Sequence, residues 1–136
     1  MLIADHWNTL RSMMNRIIPE DDFPNAWDAG VGNYLSIQFE RDLHHQVGNY
    51  RLGLEALEAE SQAYAGKSFN ELDASAQDML LSRIETGQVT LSWSVNPTEF
   101  FHMVIQHVME GYYSDPGNGG NRDSIAWQMI GFESRE

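Results

Sequence analysis

The chain has 136 residues, with 20 Asp and Glu against 8 Lys and Arg, a formal net charge of −12 and no cysteine. That length fits one domain, residues 1–136, able to bury a real core. The charge excludes a nucleic-acid footprint and docking on anionic lipid, and the missing cysteine excludes disulfides, thiolate zinc sites, iron–sulfur clusters and a cysteine nucleophile.

A helix-like pattern begins almost at Met1. Ile3, Trp7, Leu10, Met14 and Ile17 recur at steps of three and four, the buried face of a first helix that Pro19 stops. Met13 and Met14 read as core filler. Asp21, Asp22 and Pro24 form a turn. Asn25, with Asp28 three residues on, then predicts the cap of a second helix buried through Val31, Leu35 and Phe39. Gly30 and Gly32 mark a bend or a close neighbour in it. Val47, Tyr50, Leu54, Leu57 and Tyr64 line a third helix ended by Gly66, and Glu55, Glu58 and Glu60 are assigned to its outer face.

Asp73 caps a fourth helix, with Ala76, Leu80 and Ile84 inward and Gly87 at its end. Residues 88–95 alternate Val89, Leu91, Trp93 and Val95 with polar side chains. A lone strand cannot satisfy its own backbone, so this reads as an extended segment packed on helices, with an edge that pairs with a partner as the lesser reading. Asn96-Pro97-Thr98-Glu99 is the clearest helix start, with cap, proline and acid in order. The helix from Pro97 to about Tyr113 is apolar except for a stripe of Glu99, His102, Gln106 and Glu110, which predicts a place in the middle of a bundle. A loop of turn-formers from Ser114 to Asn121 follows, then a short helix from Asp123 to Ile130 carrying Trp127. The fold class is therefore all-α, a compact bundle of about five to six helices with short loops.

Catalytic constellations are weak. Glu99 and His102 match one Glu-x-x-His element of carboxylate-bridged metal bundles, but that architecture needs a second copy. His44 and His45, with Glu40 before them, make a similarly incomplete set. A stand-alone metal protein or enzyme built on Glu99, His102 and other carboxylates is the alternative reading. The glycines at 117, 119 and 120 follow a helix and lack the Gly-Lys-Ser/Thr ending of a phosphate loop. They read as a tight turn. Tyr112, Tyr113 and Trp127 beside it have the composition of an interface anchor or of core. His107 reads as a satisfied core histidine.

The run Glu110-Gly111-Tyr112-Tyr113-Ser114-Asp115-Pro116, then Gly119-Gly120-Asn121, Trp127 and Ile130-Gly131-Phe132, resembles the C-terminal signature of the gluconate 2-dehydrogenase subunit 3 family. Arg16-Ile17-Ile18-Pro19, Pro24 with Ala29-Gly30-Val31, Tyr50 with Gly53-Leu54, and Phe100-Phe101 are similar to it in the same order. The resemblance implies a non-catalytic small subunit that binds and matures a large, FAD-containing glucose–methanol–choline type oxidoreductase. That partner oxidises a sugar, sugar acid or glycoside and passes electrons to a cytochrome c or another acceptor. It implies export of the pair to the periplasm on a twin-arginine leader. No leader is legible at Met1, so a cytoplasmic chain is the other expectation. No cofactor, metal or catalytic residue is expected in this chain. Partner binding is expected from Glu110, Tyr112, Tyr113, Asp115, Pro116, Gly119, Gly120, Asn121 and Trp127. Glu133 departs from the family, which commonly continues there with proline and glycine.

Overall fold

The computed structural model describes residues 1–114. Five α-helices make up the bundle among them: α1 (Ala4–Ile17), α2 (Val31–Gln38), α3 (Val47–Ala65), α4 (Ala74–Glu85) and α5 (Pro97–Tyr112). Short 3-10 turns at His44–Gln46 and Phe69–Glu71 lead into α3 and α4. The described residues contain no strand. The predicted final helix over 123–130 lies outside them.

α5 is the centre, packing against each of the other four helices. Its apolar girth explains this: Phe100, Phe101, Val104, Val108 and Tyr112 point into different neighbours and all are buried. The stripe of Glu99, His102, Gln106 and Glu110 is exposed, as its polarity requires. Asn96 accepts a hydrogen bond from the Glu99 N–H at 3.0 Å, and Asp73 accepts one from the Ala76 N–H at 2.8 Å. Both caps were readable in the sequence.

Glycines set two of the helix crossings. A Cβ on Gly53 would lie 2.2 Å from the Phe100 ring, so α3 approaches α5 more closely than any side chain permits. A Cβ on Gly111 would lie 2.7 Å from the Tyr34 ring, where α5 crosses α2.

Several local expectations are corrected. The buried face of α1 is rotated: Ile3 is exposed and precedes the helix, while His6, Thr9, Leu10, Met13 and Met14 are buried. The second helix starts at Val31, not after Asn25. The Asn25 side chain does accept the Asp28 N–H at 2.8 Å, but Gly30 takes the left-handed conformation at φ 100° and ends that turn. Gly32 faces the Trp27 ring, the close neighbour its sequence position suggested. Tyr64 is exposed on α3.

The largest correction concerns the acids of α3. Glu60 is 2 % exposed. Its carboxylate accepts the backbone N–H groups of Thr90 and Leu91, at 3.0 and 2.6 Å, and the Trp93 indole N–H at 3.2 Å. A buried carboxylate is tolerated when donors replace its hydration, and here they come from the 88–95 connection. That connection is an irregular, bent strap clamped onto α3, with Val89, Trp93 and Val95 packed on the core and Leu91 exposed. Glu58 fastens the connection between α3 and α4, accepting Ser68 Oγ at 2.5 Å and the Phe69 N–H at 3.1 Å. Glu55 keeps an exposed position and accepts from His6 Nε2 at 2.9 Å.

Candidate functional site at the end of the central helix

The residues expected to meet a partner begin on the last turn of α5. Glu110 is exposed, and its described hydrogen-bond donor is the Gln106 side-chain amide at 3.2 Å. The last turn carries no basic residue. Glu110 therefore places a negative charge where the helix dipole is already negative, an unfavourable position by roughly 0.3–1 kcal/mol. Tyr112 is fully buried, and its hydroxyl donates to the Pro24 carbonyl at 2.8 Å. Burial, then Tyr113, then Asp21 raise its pKa. Tyr113 is half-buried and meets the Tyr112 ring edge-on at 5.4 Å. Ser114 Oγ donates to the Gly111 carbonyl at 3.0 Å. Tyr112 thus anchors the turn by tying α5 to the 19–30 connection, while Glu110 and Tyr113 reach the surface. Asp115, Pro116, Gly119, Gly120, Asn121 and Trp127 lie outside the described residues.

One turn earlier, His107 stacks on Tyr50 with ring centroids 5.8 Å apart, and the Tyr50 hydroxyl lies 2.8 Å from His107 Nδ1. Both side chains are buried. Burial, reinforced by Glu110, pushes the Tyr50 pKa up, so the phenol keeps its proton within hydrogen-bond distance of the imidazole. The His107 pKa is lowered, chiefly by burial, with Glu110 opposing and His45 adding to the shift. The unfolded chain takes up the His107 proton at higher pH than the folded one, so this stabilisation is complete above the ordinary value of 6.5 and is lost as pH falls through the lowered folded value. Replacing His107 with glutamine is expected to flatten the difference in urea midpoint between pH 7.5 and pH 5. An unchanged difference would show that other groups carry the acid sensitivity.

The metal alternative gains no support from the geometry. His102 Nε2 lies 3.7 Å from a Glu85 carboxylate oxygen at the surface, and of the possible ligands on its helix besides Glu99, His107 is buried against Tyr50 and Glu110 lies two turns on. His44 Nδ1 lies 3.2 Å from the Phe39 carbonyl. Among the described residues no three His, Cys, Asp or Glu side chains converge on a point that could hold a metal ion. No described helix is long and apolar enough to cross a membrane.

Sequence reasoning missed two polar contacts that shape the surface. His6 accepts the Ile3 N–H on Nδ1 at 3.0 Å and meets Glu55 through Nε2, so both ring nitrogens are engaged beside a cleft of about 430 Å³ between α1 and α3. Glu60 was the other. Its spacing three residues after Leu57 placed it on the buried face.

The family model described as gluconate 2-dehydrogenase subunit 3 matches residues 4–133, nearly the whole chain. No curated protein and no solved structure gave a match.

Proposed function

The chain belongs to the gluconate 2-dehydrogenase subunit 3 family, accessory subunits of dehydrogenase complexes, and from that premise we propose that it binds and stabilises the FAD-containing subunit of a sugar, sugar-acid or glycoside dehydrogenase without running a reaction itself. The flavin belongs to that partner, which passes its electrons on to a cytochrome c or another acceptor. The pair works in the periplasm, the small subunit travelling with a partner exported in the folded state.

The observation that carries this reading is the extent of the match, from the first turn of α1 through α5 and beyond. The chemistry of the described chain is in keeping with it. Its buried polar groups are engaged in building the bundle: Tyr50 with His107, Glu60 with the 88–95 strap, Gln77 with the Phe69 carbonyl. Glu110 departs from helix-stabilising practice on an exposed surface, and such departures concentrate where function overrides stability. Within the expected set, Glu110 and Tyr113 serve as contacts and Tyr112 builds the turn that presents them.

Co-expression of the dehydrogenase subunit with and without this chain tests the proposal. Soluble yield, bound flavin and dye-linked sugar oxidation are expected to fall sharply when the chain is omitted, and the two proteins are expected to co-purify. Dependence without co-purification would make the chain a maturation factor that leaves after flavin loading. A dehydrogenase indifferent to its absence would overturn the reading.

A further inference from the structure

A second surface lies where α3, α4 and the strap meet. Tyr64, Met79 and Leu91 are 40, 53 and 40 % exposed, three of the six large apolar side chains the described residues leave open to this degree. They are adjacent. The Tyr64 hydroxyl donates to Met79 Sδ at 2.8 Å, and the Arg83 guanidinium lies over the Tyr64 ring, 5.5 Å from its centroid. Arg83 Nε also donates to the Gln88 carbonyl at 3.3 Å, joining α4 to the strap that carries Leu91.

The charge of this patch is opposite to that of the chain. At ~100° per residue, Met79 and Arg83 lie roughly 100–160° around α4 from Asp78 and Glu85. Asp78 is engaged elsewhere in a two-bond pair with Arg16, and Glu85 faces His102 at 3.7 Å. Glu60, the nearest acid on α3, is buried under the strap. No acidic side chain of the described residues forms an ion pair with Arg83. In a chain of net charge −12, this leaves a cation framed by tyrosine, methionine and leucine. Tyrosine, methionine and arginine are the residue types enriched in interface cores. The clamp adds preorganisation, because the carboxylate of Glu60 fixes Leu91 in place before any partner arrives.

We propose that Tyr64, Met79, Arg83 and Leu91 form a docking surface for a segment of the dehydrogenase subunit that carries a carboxylate beside an apolar side chain. The carboxylate pairs with Arg83, and the apolar group covers Tyr64, Met79 and Leu91. This rests on the accessory-subunit reading and names a contact face for it, separate from the end of α5.

The test uses the co-expressed complex and the purified full-length chain. The wild-type chain, Arg83→Glu, Arg83→Lys and the double variant Tyr64→Ala/Met79→Ala are titrated against the dehydrogenase subunit, with circular dichroism melts to verify folding. The replaced side chains are partly or largely exposed, so the fold is expected to survive. The Kd is expected to rise at least tenfold for Arg83→Glu and for the double variant, and less than fivefold for Arg83→Lys. Hydrogen exchange on the wild-type complex is expected to slow over residues 60–64 and 79–91. If the wild-type chain binds while Arg83→Glu and the double variant bind within twofold of it, and exchange at these residues is unchanged, the docking face is wrong and the subunit reading stands. If the wild-type chain fails to bind, both fall together.

Discussion

Replacing Glu60 with alanine is expected to destabilise the protein by about 2–4 kcal/mol, since the change strands three donors that a single carboxylate now satisfies. The Thr90 and Leu91 amides and the Trp93 indole all depend on it, and Glu60 itself is 2 % exposed. The loss has two parts: charge-assisted hydrogen bonds disappear, and a space opens under the strap. Glutamine keeps one acceptor oxygen but turns an amide NH₂ toward N–H groups, so Glu60→Gln is expected to fall between wild type and Glu60→Ala. Urea unfolding at pH 7 measures the cost, and proton exchange at the Trp93 indole localises it. A midpoint shift worth less than about 0.5 kcal/mol, the usual bound for surface substitutions, would show that the clamp is incidental.

Gly53→Ala is expected to cost about 3 kcal/mol, the upper end of the range for overpacked interiors. The added methyl would stand 2.2 Å from Phe100 Cδ1 and Cε1. The ring has nowhere to go: it is 3 % exposed and flanked by Tyr50 at 6.3 Å and Trp93 at 6.1 Å. α3 would have to move off α5. The same substitution at Gly48, near the start of the same helix, meets nothing within 4 Å. There alanine is expected to stabilise by up to about 0.5–1 kcal/mol through helix propensity. Opposite signs for one chemical change in one helix make the comparison sharp. Combining Gly53→Ala with Phe100→Leu is expected to recover part of the loss, since the two positions share one space. A purely additive result would mean that the crossing does not depend on that contact.

Much of the helical framework was legible because local chemistry and tertiary demand agree. The caps at Asp73 and Asn96, the left-handed glycines after α3 and α4, and the apolar girth of α5 all carry their reasons within a few residues. His107 read as a satisfied core histidine, and Tyr50 satisfies it. The misreadings arose where residue type and position pull apart. Glu60 occupies a core position by spacing but carries a charge, and only a segment 30 residues away supplies its donors. The 88–95 alternation records Val89, Trp93 and Val95 packing on helices, while the carboxylate beneath replaces the hydrogen-bond ladder a strand would need. In α1, His6 and Thr9 are buried because α3 offers them Glu55 and Glu58, partners no local window contains. The candidate site was legible in part. Glu110 reaches the surface as a polar stripe predicts, whereas the burial of Tyr112 follows from Pro24, 88 residues earlier in the chain.

The place of α5 in the sequence also dictates when the bundle can form. It is the last of the five described helices to be synthesised, yet it is the one that all the others pack against. Until Pro97–Tyr112 has emerged, Leu35, Leu54 and Leu80 belong to helices still missing their common neighbour. Closing the core then joins residues as distant as Pro24 and Tyr112, and contacts that span so much chain form slowly. A nascent chain of this design keeps an apolar interior open until its central helix emerges.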